Sequence, residues 1–111
     1  MANINLRQRQ PRETNPRFLA FVRQQRCCVC DHWPPVQASH IRMGNITRGV
    51  RKVGMGERPS DCHAVPLCAD CHLDGPGALH KVGEAKFWAR KGINPFVIAE
   101  ALYTQFHGTE A

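Results

Sequence analysis

Cys68-Ala69-Asp70-Cys71-His72 places two thiols two residues apart, with an imidazole directly behind the second. Thiolates at that spacing reach one tetrahedral ion. Cys27 and Cys30 repeat the spacing. Two such pairs in one small chain predict a single structural Zn²⁺ bound by Cys27, Cys30, Cys68 and Cys71. A structural zinc needs no extra imidazoles, yet His40, Asp61, His63, His72 and His80 all fall between positions 40 and 80. Five further metal-competent or proton-transferring groups around one zinc site point to a second, functional metal site. Cys28 and Cys62 stand outside the pairs and read as small buried hydrophobes.

The compartment decides between metal and disulfide chemistry. Six cysteines could form three disulfides in a secreted protein. The first ten residues, Met-Ala-Asn-Ile-Asn-Leu-Arg-Gln-Arg-Gln, contain no apolar stretch of the kind a secretory signal requires. No apolar run approaches the length of a membrane span, so no membrane partner is expected. Reduced thiols in a cytoplasmic protein are therefore expected, and paired cysteines there read as metal ligands. The formal net charge is +6 over 111 residues. A small basic chain most often meets nucleic acid, although charge alone also fits an inert basic surface.

The elements that must position these groups follow from local signals. Residues 1–14 read as a flexible basic tail with Arg7, Arg9 and Arg12, and residues 15–111 as one domain small enough to need a metal staple. Asn15-Pro16 is an N-cap followed by a proline at the first helical position, which predicts a helix to about Gln25 with Phe18, Leu19, Phe21 and Val22 inward. Val36 to Ile41 reads as a strand with Val36, Ala38 and His40 on one face. Ala64 to Leu67 reads as a short strand or turn. Between them runs a glycine-rich loop, Arg42 to Ser60, in which Arg42, Arg48, Arg51, Lys52 and Arg58 face a single Glu57. Irregular stretches of this length are often functional, and these cations suit phosphate contacts. Val50 and Val53 could pair part of the loop as a hairpin. Leu73 to Gly77 breaks any helix begun at the second cysteine pair. Glu84 to Lys91 is helical with Phe87 and Trp88 as anchors, and a last helix starts at Asn94-Pro95 and stops at Gly108.

Taken together, the order of these groups resembles that of the HNH endonucleases. His40 in Ala38-Ser39-His40-Ile41 matches the family's first histidine. His63 matches the middle position, and His72 in Leu67-Cys68-Ala69-Asp70-Cys71-His72 the last. The match covers roughly residues 27–80 and looks like small phage and prophage nucleases, including recombination-associated ones. The resemblance implies an α+β fold, a zinc-stabilised ββα-metal core with flanking helices. It implies a metal-dependent DNA endonuclease, encoded by a phage or prophage and working in the bacterial or infected host cell. It also leaves room for a recombination protein as partner. His40 would be the general base, His63 would orient it or the phosphate or share the metal, and His72 would hold a catalytic divalent ion, Mg²⁺, Mn²⁺, Ni²⁺ or Zn²⁺. Many family members carry an acidic ligand just before the first histidine; here that residue is Ser39. Asp61 and His80 are then expected to complete the metal shell. Arg42, Arg48, Arg51, Lys52 and Arg58 would hold the DNA backbone.

Two other readings compete. One is a zinc-stabilised DNA-binding module without catalysis, whose binding would not depend on a labile metal. The other is a zinc-bearing protein-interaction adaptor, for which the basic charge has no obvious use.

Overall fold

Asn15 starts the first helix as its residue types dictate. Its side chain accepts from the Phe18 N–H at 3.0 Å, and Pro16 occupies the first helical position of α1 (Pro16–Arg23). In this computed structural model, residues 12–110 are described. The flexible tail expected over 1–14 falls chiefly on residues outside that range. Two of its last residues are anchored: Arg12 donates to the Pro59 carbonyl at 2.9 Å, and the Asp61 N–H donates to the Glu13 carbonyl at 2.9 Å.

The Arg23 carbonyl accepts from the Val36 N–H, which ties the end of α1 to the start of β1 (Gln37–His40). β1 pairs antiparallel with β2 (Ala64–Leu67), with Gln37 opposite Leu67 and His40 opposite Ala64. Directly opposed residues share a face. Gln37 and Ser39 therefore lie on the face of Leu67 and Val65, and Ala38 and His40 on the face of Pro66 and Ala64. All of β2 is buried, as its apolar run requires.

Beyond β1 the long loop is irregular but organised. It holds one 3₁₀ turn, Ile46–Arg48, and a single bridge between Asn45 and Val50. The Val53 N–H reaches the Arg42 carbonyl at 2.8 Å, so the two valines do mark where the loop folds back. Gly44 is needed there, because a Cβ would lie 2.8 Å from the Lys52 backbone nitrogen.

After β2 the second cysteine pair opens a π-helical turn, Asp70–Asp74, which Gly75 ends. A Cβ on Gly75 would lie 2.7 Å from the Asp70 carbonyl oxygen, which accepts the Gly75 N–H. Three helices complete the chain: α2 (Leu79–Val82), α3 (Glu84–Lys91) and α4 (Pro95–Glu110). α4 continues past Gly108, where the sequence predicts its end; one exposed glycine costs a helix only about 1 kcal/mol.

Among the described residues the architecture is thus α+β, a two-stranded antiparallel sheet with four helices. Two apolar clusters flank the sheet. Val65 and Leu67 join Ile41, Phe87, Trp88 and Phe96 on the face that also receives Cys27 and Cys68. Ala64 joins Phe18, Val22 and Phe106 on the other, between α1 and α4. Phe18 is fully buried there, edge-on to Tyr103 and Phe106 with ring centroids 5.1 and 5.5 Å away. Phe18→Ala is expected to destabilise the fold by about 3–5 kcal/mol while leaving the zinc content unchanged, as read by urea denaturation and metal analysis; a loss below about 1 kcal/mol would show that α1 does not depend on this contact.

Candidate functional site

The four predicted zinc ligands converge. Cys27 and Cys68 are buried, Cys71 is half-buried and Cys30 is exposed, and their sulfurs all lie within 4.8 Å of one another. Cys30 Sγ and Cys68 Sγ are 3.4 Å apart. Four thiolates on one zinc ion at about 2.3 Å stand about 3.8 Å apart, so the cluster is compatible with a structural zinc. The backbone prepares the site. Burial opposes ionisation of Cys27, but N–H groups of Cys30, Cys68 and Val29 outweigh it and bring its pKa down to about 7. Burial and the neighbouring thiols push Cys71 up instead. Thiolates packed this closely repel one another, and a shared cation would relieve that repulsion. Asp31, at φ 65°, turns the chain beyond the first pair, and the Cys28 N–H donates to the Pro66 carbonyl at 3.0 Å, fixing that pair to β2. Cys28 and Cys62 stay outside the cluster. Burial raises their pKa values to about 12 and about 11, which leaves them inert thiols.

The remaining candidates divide into two pairs. The first is His72 and His80, from the π-helical turn and α2. Their Nε2 atoms are 3.1 Å apart and their ring centroids 4.7 Å. On its other edge, His72 Nδ1 meets Gln37 Oε1 from β1 at 2.5 Å. Burial first, and the charge of His80 second, lower the pKa of His72, which favours its neutral imidazole. Two imidazole nitrogens bound side by side on one ion at about 2.1 Å are separated by about this distance. The donor set therefore fits a divalent metal, with His72 half-buried and His80 exposed.

The second pair is His40 and Asp61, at 2.9 Å between Nε2 and Oδ1. Asp61 is 2% exposed. It also accepts from the Asn15 backbone N–H at 2.7 Å and from Arg12 at 3.3 Å. Burial alone would raise its pKa, but the Asn15 and His40 hydrogen bonds and the nearby cations lower it on balance. The sequence places Asp61 on the catalytic metal; the structure turns its carboxylate to His40, Arg12 and Asn15 instead. Among the described residues, the four cysteines are the only set of three or more Cys, His, Asp or Glu ligand atoms this close together.

His63 sits apart from both pairs. Its ring packs edge-on against Phe96, with centroids 5.8 Å apart, and it lines a groove of about 740 Å³ under the basic loop. Burial lowers its pKa, against the opposing pull of Glu13 and Glu100. The loop cations also divide. Arg42 spends its guanidinium on the carbonyls of Gly54 and Glu57, at 3.0 and 3.2 Å, and so shapes the loop. Arg48 pairs with Glu100 at 2.7 Å and Arg51 with Glu57 at 3.1 Å. Lys52 and Arg58 line the groove with no side-chain partner among the described residues.

Two contributors carry no sequence signal of their own. Gln37 reaches His72 across 35 positions. Glu84, at the start of α3, accepts from the backbone N–H groups of Arg42 and Met43, both at 2.9 Å, and holds the chain just past His40. His40, Arg42, His80 and Glu84 then line one cavity of about 170 Å³.

Purified protein is expected to carry one tightly held zinc per chain and to lose its helical circular dichroism on strong chelation. Metal analysis that finds none, or a metal-free protein that keeps its fold, would contradict the four-cysteine assignment.

Against known proteins, no curated protein and no solved structure matches the chain. A protein family of unknown function, DUF968, matches residues 4–106. With nearly its whole length matched, the chain belongs to the DUF968 family.

Proposed function

We propose that the protein is a metal-dependent DNA endonuclease of the HNH type, with a ββα-metal core and a structural zinc on its four cysteines. The observation that carries this reading is that His40 and His80 open on the same cavity of about 170 Å³, with His72 Nε2 only 3.1 Å from His80 Nε2. A proton acceptor and a metal-competent imidazole pair thus stand beside one space large enough for a phosphodiester. Strand β1 ends at His40, β2 follows the loop, and the π-helical turn brings His72, the order that the resemblance requires.

In this reading His40 is the general base. Its Nε2 is occupied by Asp61, so Nε2 carries the proton and Nδ1 presents the lone pair. Nδ1 takes a proton from the attacking water as the water oxygen bonds to phosphorus and the bond to the leaving sugar oxygen breaks. Asp61 is ionised and buried, and it stabilises the imidazolium formed on His40. Asp61 is thereby a positioning residue rather than the metal ligand expected from the sequence. A divalent ion on His72 and His80 would supply Lewis-acid polarisation of the phosphate and stabilise the leaving oxyanion. Lys52 and Arg58 hold the DNA backbone along the groove, which His63 also lines. Arg42 serves this grip indirectly, by setting the shape of the loop.

Plasmid nicking across a panel of divalent ions tests the activity. His40→Ala should lower the rate by about 10²–10⁴-fold with zinc content unchanged; wild-type activity in that variant would remove the base. Neutralising Lys52 and Arg58 together should flatten the salt dependence of DNA affinity, lowering the log–log slope by about 1.8. An unchanged slope would take the groove out of the interface. DNA binding without metal-dependent cleavage by the wild type would favour the non-catalytic module.

A further inference from the structure

Resting on that reading, we infer that Gln37 fixes His72 as an Nε2 donor and makes the His72–His80 pair a site for an imidazole-preferring dication, of the Ni²⁺ or Zn²⁺ class, rather than for Mg²⁺.

The inference starts from hydrogen-bond inventory. A side-chain amide oxygen only accepts, so the contact between Gln37 Oε1 and His72 Nδ1 requires the proton to sit on Nδ1. A neutral His72 then has its bare lone pair on Nε2, the atom that faces His80. With no ion bound, His80 Nε2–H donates to that lone pair. A divalent ion there would be held by His72 Nε2 and by His80 Nε2, the His80 proton moving to its own Nδ1. Gln37 is well placed for such a role. It sits in β1 opposite Leu67, so the sheet holds its backbone while its side chain reaches the π-helical turn. Partners on the far nitrogen of a metal-binding histidine set its tautomer and orientation, and losing them typically costs 10–100-fold in affinity.

The class of ion follows from the donors. Imidazole suits Ni²⁺, Zn²⁺ and Cu²⁺, whereas Mg²⁺ needs oxygen ligands and holds its water tightly. Ser39 provides no carboxylate, and Asp61 spends its own on His40, Arg12 and Asn15. Glu84 is engaged by two backbone N–H groups. Among the described residues no carboxylate closes a three-ligand set with the two histidines.

The test is calorimetric titration of Ni²⁺ into zinc-loaded protein, with Mg²⁺ in parallel. Wild type should bind one Ni²⁺ beyond the zinc, and Mg²⁺ should bind far more weakly. Gln37→Leu, nearly the same size but without an acceptor, should weaken Ni²⁺ binding about 10–100-fold. Gln37→Glu keeps an acceptor at the same place and should restore it to within a few-fold. Equal affinity in Gln37→Leu and wild type would overturn the role of Gln37 while leaving the proposed nuclease standing. Mg²⁺ binding as tight as Ni²⁺ would overturn the ion class. Wild type that binds no second ion would overturn both this inference and the metal site of the proposed function. Nitrogen NMR of the histidines in the unaltered protein decides independently of how any variant folds: His72 should be protonated on Nδ1, and a proton on Nε2 would overturn the inference.

Discussion

Four sulfurs gathered within 4.8 Å set the constraint on which the rest of the molecule depends. As bare thiolates they would repel one another, and as thiols they leave a small chain with little to bind its halves together. A shared dication resolves both difficulties, which is why the cluster's compatibility with zinc matters structurally. The first pair is fixed to β2 through the bond from Cys28 to Pro66, and the second pair leads β2 into the π-helical turn. One cluster therefore sets where both the sheet and His72 lie. Without it, a sheet of two four-residue strands would have little stability of its own.

Around that anchor, His40 and His72 share one design in the proposed site: each has one ring nitrogen committed to a partner from another part of the chain, which leaves the other nitrogen for the proposed chemistry. Asp61 occupies Nε2 of His40, and Gln37 occupies Nδ1 of His72. Asp61 is itself fixed by the Asn15 N–H and by Arg12, so the segment that begins α1 also orients the proposed base. Glu84 braces the backbone just past His40 from the start of α3. The positions of these groups thus rest on contacts among α1, both strands and α3, not on any single element.

Much of this was legible in the sequence because its causes are local. The two cysteine pairs announce their convergence by spacing alone, and the four sulfurs do form one cluster compatible with zinc. Asn15-Pro16 and Asn94-Pro95 announce helix starts by side-chain chemistry, and α1 follows its N-cap as expected. The pairings of the site are a different matter. Asp61 reads as a metal ligand because a carboxylate among histidines has that chemistry; only the fold shows that His40, 21 positions away, and Asn15 claim it. Gln37 carries no signal, since its meaning comes from strand register and the placement of the π-helical turn. Arg42 reads like every other loop arginine, yet its guanidinium turns inward to the carbonyls of Gly54 and Glu57. Charge is visible in a sequence, but the partner that satisfies it is not.

The central proposal is that one small chain holds two separate metals, one for structure and one beside a base. A crystal structure of the zinc-loaded protein soaked in Ni²⁺, with anomalous diffraction recorded at both metal edges, addresses it most directly. The account predicts a zinc signal among Cys27, Cys30, Cys68 and Cys71 and a separate nickel signal on His72 and His80, beside the cavity that His40 lines. Nickel absent from the two histidines, or bound only in place of zinc at the cysteines, would contradict it.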